Sequence, residues 1–244
     1  TGLNEAFIIE EELKNALIQK SKISADIIKP ILRGRDLKKY SYTFSNQWAI
    51  CTFPSLNIEI DNYNAIKEHL IEFGKPRLEQ IGQNGSRKKT NNKWFETQDS
   101  ISYWKEFLKP KIVWGEISDE PKFAYDADGY YAEATTFIMT GDDLKYLLAI
   151  LNSKVSEWYF KQIGTTTGMG TNRWKKYKIE LLPIKTPSKK LKESIEKLVN
   201  KIIDLKKTDP QSDTSKLENE IDEIVYKLYD LNQEEIKIIE GMGE

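Results

Sequence analysis

Two apolar stripes near the end of the chain share one rhythm. Leu191, Ile195, Leu198, Val199, Ile202 and Ile203 follow one another at offsets of 4, 7, 8, 11 and 12 from the first, and Leu217, Ile221, Ile224, Val225, Leu228 and Tyr229 repeat the same offsets. That is a helical period with one buried face. Asp209-Pro210 lies between the stripes, so the pattern predicts an antiparallel helical hairpin. Pro187 is expected at the first position of its first helix, and Asn232 with Glu235 is expected to cap one more short helix. Upstream the periods are mixed. Glu10 to Gln19 reads as a short helix, and Ala65, Ile66, His69, Leu70 and Phe73 form the stripe of a helix opened by Asp61. Trp48 to Phe53, Leu56 to Ile60 and Lys111 to Ile117 read as strands. Phe123 to Tyr125 and Tyr130 to Met139 read as a strand pair around Asp128-Gly129. Thr140 to Asp143 has the pattern that opens a helix, carrying Leu144, Leu147, Leu148 and Leu151 up to Asn152-Ser153. The predicted fold class is α+β: a helical lead-in over 1–24, a mixed α+β domain over 25–186 with a mixed β-sheet and helices, and a C-terminal helical hairpin or arm over 187–244.

Composition narrows the classes. The chain has 244 residues, 39% of them hydrophobic and 31% charged, enough for one large domain or two small ones. No run approaches the roughly 20 apolar residues of a spanning helix, so no membrane role is expected. One cysteine, Cys51, excludes an internal disulfide and a thiolate-rich zinc site, and one histidine, His69, excludes a multi-histidine metal site. Both are expected to be packed residues. No signal peptide is visible, so a cytoplasmic protein is expected. The opening Thr1-Gly2-Leu3 lacks methionine and reads as a piece cut from a longer chain, or as a trimmed terminus.

Charge is unevenly distributed. The formal net charge is −1, yet residues 213–244 carry −7 and the rest of the chain +6. Two stretches hold basic residues and no acid: Gly82 to Trp94, with Arg87, Lys88, Lys89 and Lys93, and Lys161 to Lys178, with Lys161, Arg173, Lys175, Lys176 and Lys178. Both are rich in Gly, Asn and Thr and read as loops. Acid-free basic loops suit an anionic partner, and phosphate backbone is the commonest one; a plain solvated surface is the alternative. Lys93-Trp94-Phe95 closes the first stretch and Arg173-Trp174-Lys175-Lys176-Tyr177 the second. Asn91, Asn92 and Asn172 are suited to adenine edges, and arginine or lysine to guanine edges or phosphate. Trp94 and Trp174 are expected to anchor loop ends in the core.

Catalytic patterns are missing. Glu116 and Glu133 lie in or near strand candidates, but neither is followed two places on by the lysine of a metal-dependent nuclease. Adenine methylation calls for an Asn or Asp, two prolines and an aromatic, and there is no Pro-Pro. The glycines at 164, 168 and 170 match neither a P-loop nor a dinucleotide fingerprint.

An ordered set of segments carries a family resemblance. It runs Ile28-Lys29-Pro30-Ile31-Leu32-Arg33-Gly34-Arg35-Asp36-Leu37, Trp94-Phe95-Glu96, Lys111-Ile112-Val113-Trp114, Tyr146-Leu147-Leu148-Ala149-Ile150-Leu151-Asn152-Ser153-Lys154, Leu182-Pro183-Ile184 and Ile224-Val225-Tyr226-Lys227-Leu228-Tyr229. The set resembles the TaqI-like C-terminal specificity domain, the target-recognition part of fused (type IIG) type II restriction–modification enzymes. Phe95 stands where tyrosine is expected, and Lys185 where proline often follows. The resemblance implies an α+β target-recognition domain that selects a double-stranded DNA sequence and is not itself an enzyme. It implies a parent with an N-terminal nuclease and a central adenine methyltransferase, using Mg and S-adenosylmethionine that this fragment does not bind. On that reading Arg33, Arg35 and the residues of the two basic loops would contact DNA. The hairpin also resembles the spacer helices of type I specificity subunits, which leaves open a specificity subunit paired with a separate methyltransferase. A protein-interaction module, with the acidic arm binding a basic partner, is a further alternative.

Overall fold

The computed structural model describes residues 1–164 and 172–241. Its helices are α1 (Asn4–Phe7), α2 (Glu11–Lys20), α3 (Asn64–Leu78), α4 (Leu144–Asn152), α5 (Lys154–Ile163), α6 (Lys176–Ile179), α7 (Lys189–Thr208), α8 (Ser215–Leu228) and α9 (Gln233–Ile239). Its strands are β1 (Ile8–Glu10), β2 (Ile28–Leu32), β3 (Leu37–Lys38), β4 (Ser41–Tyr42), β5 (Gln47–Ile50), β6 (Lys111–Gly115), β7 (Ile117–Ser118), β8 (Ala124–Asp126), β9 (Tyr131–Ala132), β10 (Thr136–Met139) and β11 (Asn172–Arg173). The class is α+β, as the sequence pattern predicts. The chain divides into two compact units, 1–32 with 44–108, and 33–43 with 109–244. The expected boundaries after residues 24 and 186 do not coincide with this division.

In the first unit β5 pairs antiparallel with both β1 and β2, Ala49 facing Ile8 on one side and Lys29 on the other. Ile9, Ile28 and Ile50 bury against Leu17 of α2 and against Ile66 and Leu70 of α3. Leu56 to Ile60 is not a strand. Pro54 opens a 3-10 turn (Pro54–Leu56), Asn57 sits at φ +48°, and a second 3-10 turn covers Ile60–Asn62. The alternating Leu56, Ile58 and Ile60 follow burial, not pairing. Asp61 pairs with Lys67 and does not cap α3; Tyr63 occupies that place without a side-chain bond. Gly74, at φ +119°, breaks α3 where the predicted stripe stops. Cys51 is buried, which pushes its thiol up to about 12, and His69 Nε2 lies 3.2 Å from the Ala6 carbonyl oxygen.

The second unit is built around β6, whose five residues are all buried. β10 and β8 flank it, so the strand pair expected around Asp128-Gly129 does not form; its two arms pair with opposite edges of β6. The hairpin stripes belong to the same core: Ile195, Val199, Ile202, Ile221 and Val225 cluster with Ile112, Trp114 and Leu148. α7 starts after Ser188, whose hydroxyl accepts from Leu191 N–H, so Pro187 precedes the cap. Asp143 stands at the N-cap of α4 at φ +58°, without a capping bond, and pairs with Lys192. The Asn152-Ser153 junction has two tasks. Asn152 accepts from the Phe123 N–H (3.2 Å) and donates to the Phe123 carbonyl (2.9 Å), which ties α4 to the start of β8. Ser153 caps α5, and Asp222 of α8 accepts from the Lys154 N–H at 2.9 Å. Asn232 and Glu235 form the expected capping box on α9.

Gly34 and Gly115 bring a turn and a strand end together. A Cβ on Gly115 would lie 3.1 Å from Gly34 Cα, whereas a Cβ on Gly34 would meet Gly115 Cα at an ordinary 3.7 Å. Gly115→Ala should therefore lower stability by roughly 1–3 kcal/mol, because backbone must move on one side. Gly34→Ala should cost clearly less. Urea unfolding of the two variants checks the ranking, and equal costs would contradict the close approach.

Candidate nucleic-acid interface

The first basic stretch is a compact loop pinned from inside. Arg87 is only 4% exposed. Its guanidinium donates to the carbonyls of Leu78 (2.8 Å), Thr1 (2.9 Å), Trp94 (2.7 Å) and Glu96 (2.7 Å). Burial lowers its pKa to about 10, which still leaves it charged at neutral pH. Arg87 therefore departs from the expectation: it is buried, and four of its five N–H donors go to backbone carbonyls, so its role is structural. Gln80 adds bonds to the Lys93 and Glu96 carbonyls, and Asn92 donates to those of Thr97 and Gln98, so Asn92 is also structural. Lys88, Lys89 and Asn91 are exposed on this scaffold, and the two lysines have no ion-pair partner among the described residues. Lys93 is exposed, with Glu59 at 3.9 Å. Trp94 is partly buried against the first unit's core, as expected of an anchor.

The second unit carries a cleft of about 800 Å³. Arg33, Arg35, Glu116, Lys122, Glu133 and Arg173 are among the residues lining it. Candidates from two distant stretches, Arg33 with Arg35 and Arg173, thus line one cleft. Arg33 sits at the head of the turn Gly34–Asp36, where its side chain meets both Asp36 carboxylate oxygens at 3.3 Å and its N–H donates to Oδ2 at 2.9 Å. Arg35 is exposed. Arg173 lies on β11, which pairs with β7, opposite Ile117. Its neighbour Trp174 is buried and stacks on Phe160 at 3.9 Å, while the Trp114 indole N–H donates to the Trp174 carbonyl at 2.8 Å. Trp174 is thus the anchor that the sequence suggests. Asn172 is buried, so it does not present an edge to the surface. Lys176 is exposed and pairs with Glu180 at 3.6 Å. Residues 165–171 of the second basic stretch, with most of its glycines and threonines, lie outside the described residues.

Glu116 is the residue that the charge count missed, because it falls outside both acid-free stretches. Its carboxylate takes Arg173 at 2.8 Å and Lys175 at 3.1 Å. The Lys175 hydrogen bond, then that of Arg173, holds its carboxyl below the usual glutamate range. Asp119 and Glu133 line the same cleft, yet among the described residues no three acids, histidines or cysteines gather closely enough to hold a metal ion.

The first unit thus carries a basic loop tied by Arg87, and the second gathers cations and carboxylates around one cleft. The TaqI-like C-terminal specificity domain matches residues 29–184, and the chain belongs to that family. The chain is similar in structure to the type IIL restriction–modification enzyme MmeI, solved in complex with DNA, at TM-score 0.66 and 13% identity. That match covers 97% of this chain and 32% of MmeI. A likeness to the type IIG restriction endonuclease BpuSI has TM-score 0.49 and 14% identity, covering 90% of this chain and 28% of that one. The chain thus spans about a third of the length of these enzymes. No curated protein matches it.

Arg87→Ala should destabilise the protein by roughly 3 kcal/mol or more, because four carbonyls, two in fully buried bonds, lose charged donors. Arg87→Lys should fail to restore it, since three ammonium hydrogens cannot serve four carbonyls. Urea unfolding with hydrogen exchange over residues 79–98 checks both. Glu116 supplies a pH signature. Its folded pKa is depressed, so its stabilisation is present above the unfolded value, near 4.5, and fades as pH falls through the lower folded value. The urea midpoints of wild type and Glu116→Gln should differ at neutral pH and converge in acid; a gap independent of pH would exclude the ion pairs.

Proposed function

We propose that this domain selects the double-stranded DNA sequence on which a type II restriction–modification enzyme acts, and that it performs no catalytic step itself. The observation that carries the reading is the fixed display of cations. Family membership supplies the specificity role, and Lys88, Lys89 and Arg35 stand exposed on backbone that the bonds of Arg87 and Arg33 hold in place. A duplex offers closely spaced phosphates, and cations presented without ordering cost bind them best. In this reading Lys88, Lys89, Arg35 and Lys176 contact phosphate, while Lys175 is held by Glu116. Asn91 is the amide free to meet a base edge, while Arg33, Arg87, Asn92 and Asn172 support the frame.

The methyltransferase and nuclease then belong to the rest of the polypeptide or to a separate subunit. The parent would be adenine-specific, with S-adenosylmethionine and Mg bound outside this domain and a cytoplasmic setting. Support for a protein neighbour comes from a groove of about 170 Å³ lined by apolar residues that include Trp158, Tyr159, Leu231 and Ile239. Exposed Leu181, Ile184 and Ile238 add to the apolar surface of this unit.

Binding of a mixed-sequence duplex by the 244-residue chain should weaken steeply with salt. Changing both Lys88 and Lys89 to alanine should reduce the slope of log K against log salt by about one per lost phosphate contact. An unchanged slope would remove the two lysines from the interface, and no duplex binding at low salt would overturn the reading.

A further inference from the structure

A phosphate contact gains from every nearby cation and loses to every nearby anion. Glu116 is badly placed for such a contact, because one carboxylate oxygen takes both Arg173 and Lys175, leaving the trio with a charge of only about +1. The same carboxylate is well placed for a neutral partner. It ties Arg173 through Nη1, and among the described residues Nε and Nη2 make no hydrogen bond. The side chain remains 42% exposed and lines the cleft. Its backbone is held on both sides. β11 pairs with β7, and the Trp174 N–H donates to the Glu116 carbonyl at 2.7 Å, so Glu116 and Arg173 are joined through backbone as well as side chains. A planar guanidinium tied at Nη1, with Nε and Nη2 unbonded among the described residues, matches the O6 and N7 acceptors of guanine.

We infer that Arg173 reads a guanine on its major-groove edge, and that Glu116 is the positioning residue that sets the plane of the guanidinium. The inference rests on the DNA-recognition reading above. Lys175 keeps Glu116 ionised while Arg173 turns its free edge to the base, and the carboxylate discourages Arg173 from settling on a phosphate. Guanine is favoured over the other bases because none of them presents two acceptors side by side on that edge.

The test is selection of duplexes with a randomised centre by the 244-residue chain and by Arg173→Ala, Arg173→Lys and Glu116→Gln. The wild type should enrich a sequence containing a guanine. Arg173→Ala should lose preference at that one position by roughly 10-fold or more and keep it elsewhere, and Arg173→Lys should lose less, because an ammonium also reaches O6 and N7. Glu116→Gln should bind a random-sequence duplex more tightly than wild type while its guanine preference falls. A purely structural role would weaken both kinds of duplex together. Retained guanine preference in Arg173→Ala overturns the inference. So does a uniform loss across all positions in Arg173→Ala with a salt slope lower by about one, which is the mark of a phosphate contact. If the wild type enriches no sequence, the DNA-recognition reading falls and this inference with it. Thermal melting identifies a variant that does not fold; should Arg173→Ala be one, Glu116→Gln decides, and an unchanged guanine preference there overturns the inference.

Discussion

A lysine ammonium leaves water only where an anion and further donors meet the cost. Lys111 does so completely: it opens β6 with no exposed surface and pairs with Asp126, which is equally buried. Asp126 also accepts from the Asp128 and Tyr130 N–H groups at 2.8 and 3.0 Å and from the Tyr42 hydroxyl at 3.3 Å. Burial lowers the Lys111 pKa, and Asp126 opposes that shift. This network fixes one end of a strand that is buried throughout. At the other end Gly115 meets Gly34, and the next residue is Glu116. The second unit's cleft is thus the end of a strand whose start is set by a buried ion pair. Replacing that pair by apolar residues could leave stability unchanged, but the pair and its donors demand one register, and register decides where Glu116 emerges.

The cations of this chain divide by the partner each has found. Arg87 gives its donors to carbonyls, Arg33 to the Asp36 carboxylate, and Lys111 to Asp126. Lys88, Lys89 and Arg35 are exposed without an ion-pair partner among the described residues. The first group makes the second effective. A loop of Gly, Asn and Ser would lose much entropy on binding if it were free, but the Arg87 hub has already ordered the backbone that carries Lys88 and Lys89. Buried and exposed basic residues therefore occur side by side in sequence, and only their depth separates them.

Local period and turn chemistry made much of the fold legible. The matched stripes of α7 and α8, the Glu10 to Gln19 helix, the β6 segment and the Asn232 capping box all depend on residues close in sequence. Errors arose where distant residues decided the outcome. Asp128-Gly129 signals a hairpin, but β6 takes both partners. Leu56, Ile58 and Ile60 alternate as a strand would, yet Pro54 and the left-handed Asn57 prevent pairing. Residues 33–43 belong with a unit that resumes at 109, a return that no composition shift marks. The cleft was half legible. Arg33, Arg35 and Arg173 were visible as cations, but the burial of Asn172 and the ion pairs of Glu116 depend on β7 lying beside β11.

That pairing also bears on how a recognition domain can change its target. Trp174 sits in the core, stacked on Phe160 and bonded to Trp114, so the backbone of β11 is set by buried packing. Arg173 and Glu116 face the cleft from this backbone, and replacing either leaves the buried aromatics in place. A side chain whose support lies entirely behind it can be exchanged without repacking the core. Arg33 offers no such freedom, because its side chain holds the turn that presents it. Variation in the bases read is therefore expected at positions shaped like Arg173, and constancy at positions shaped like Arg33 and Arg87.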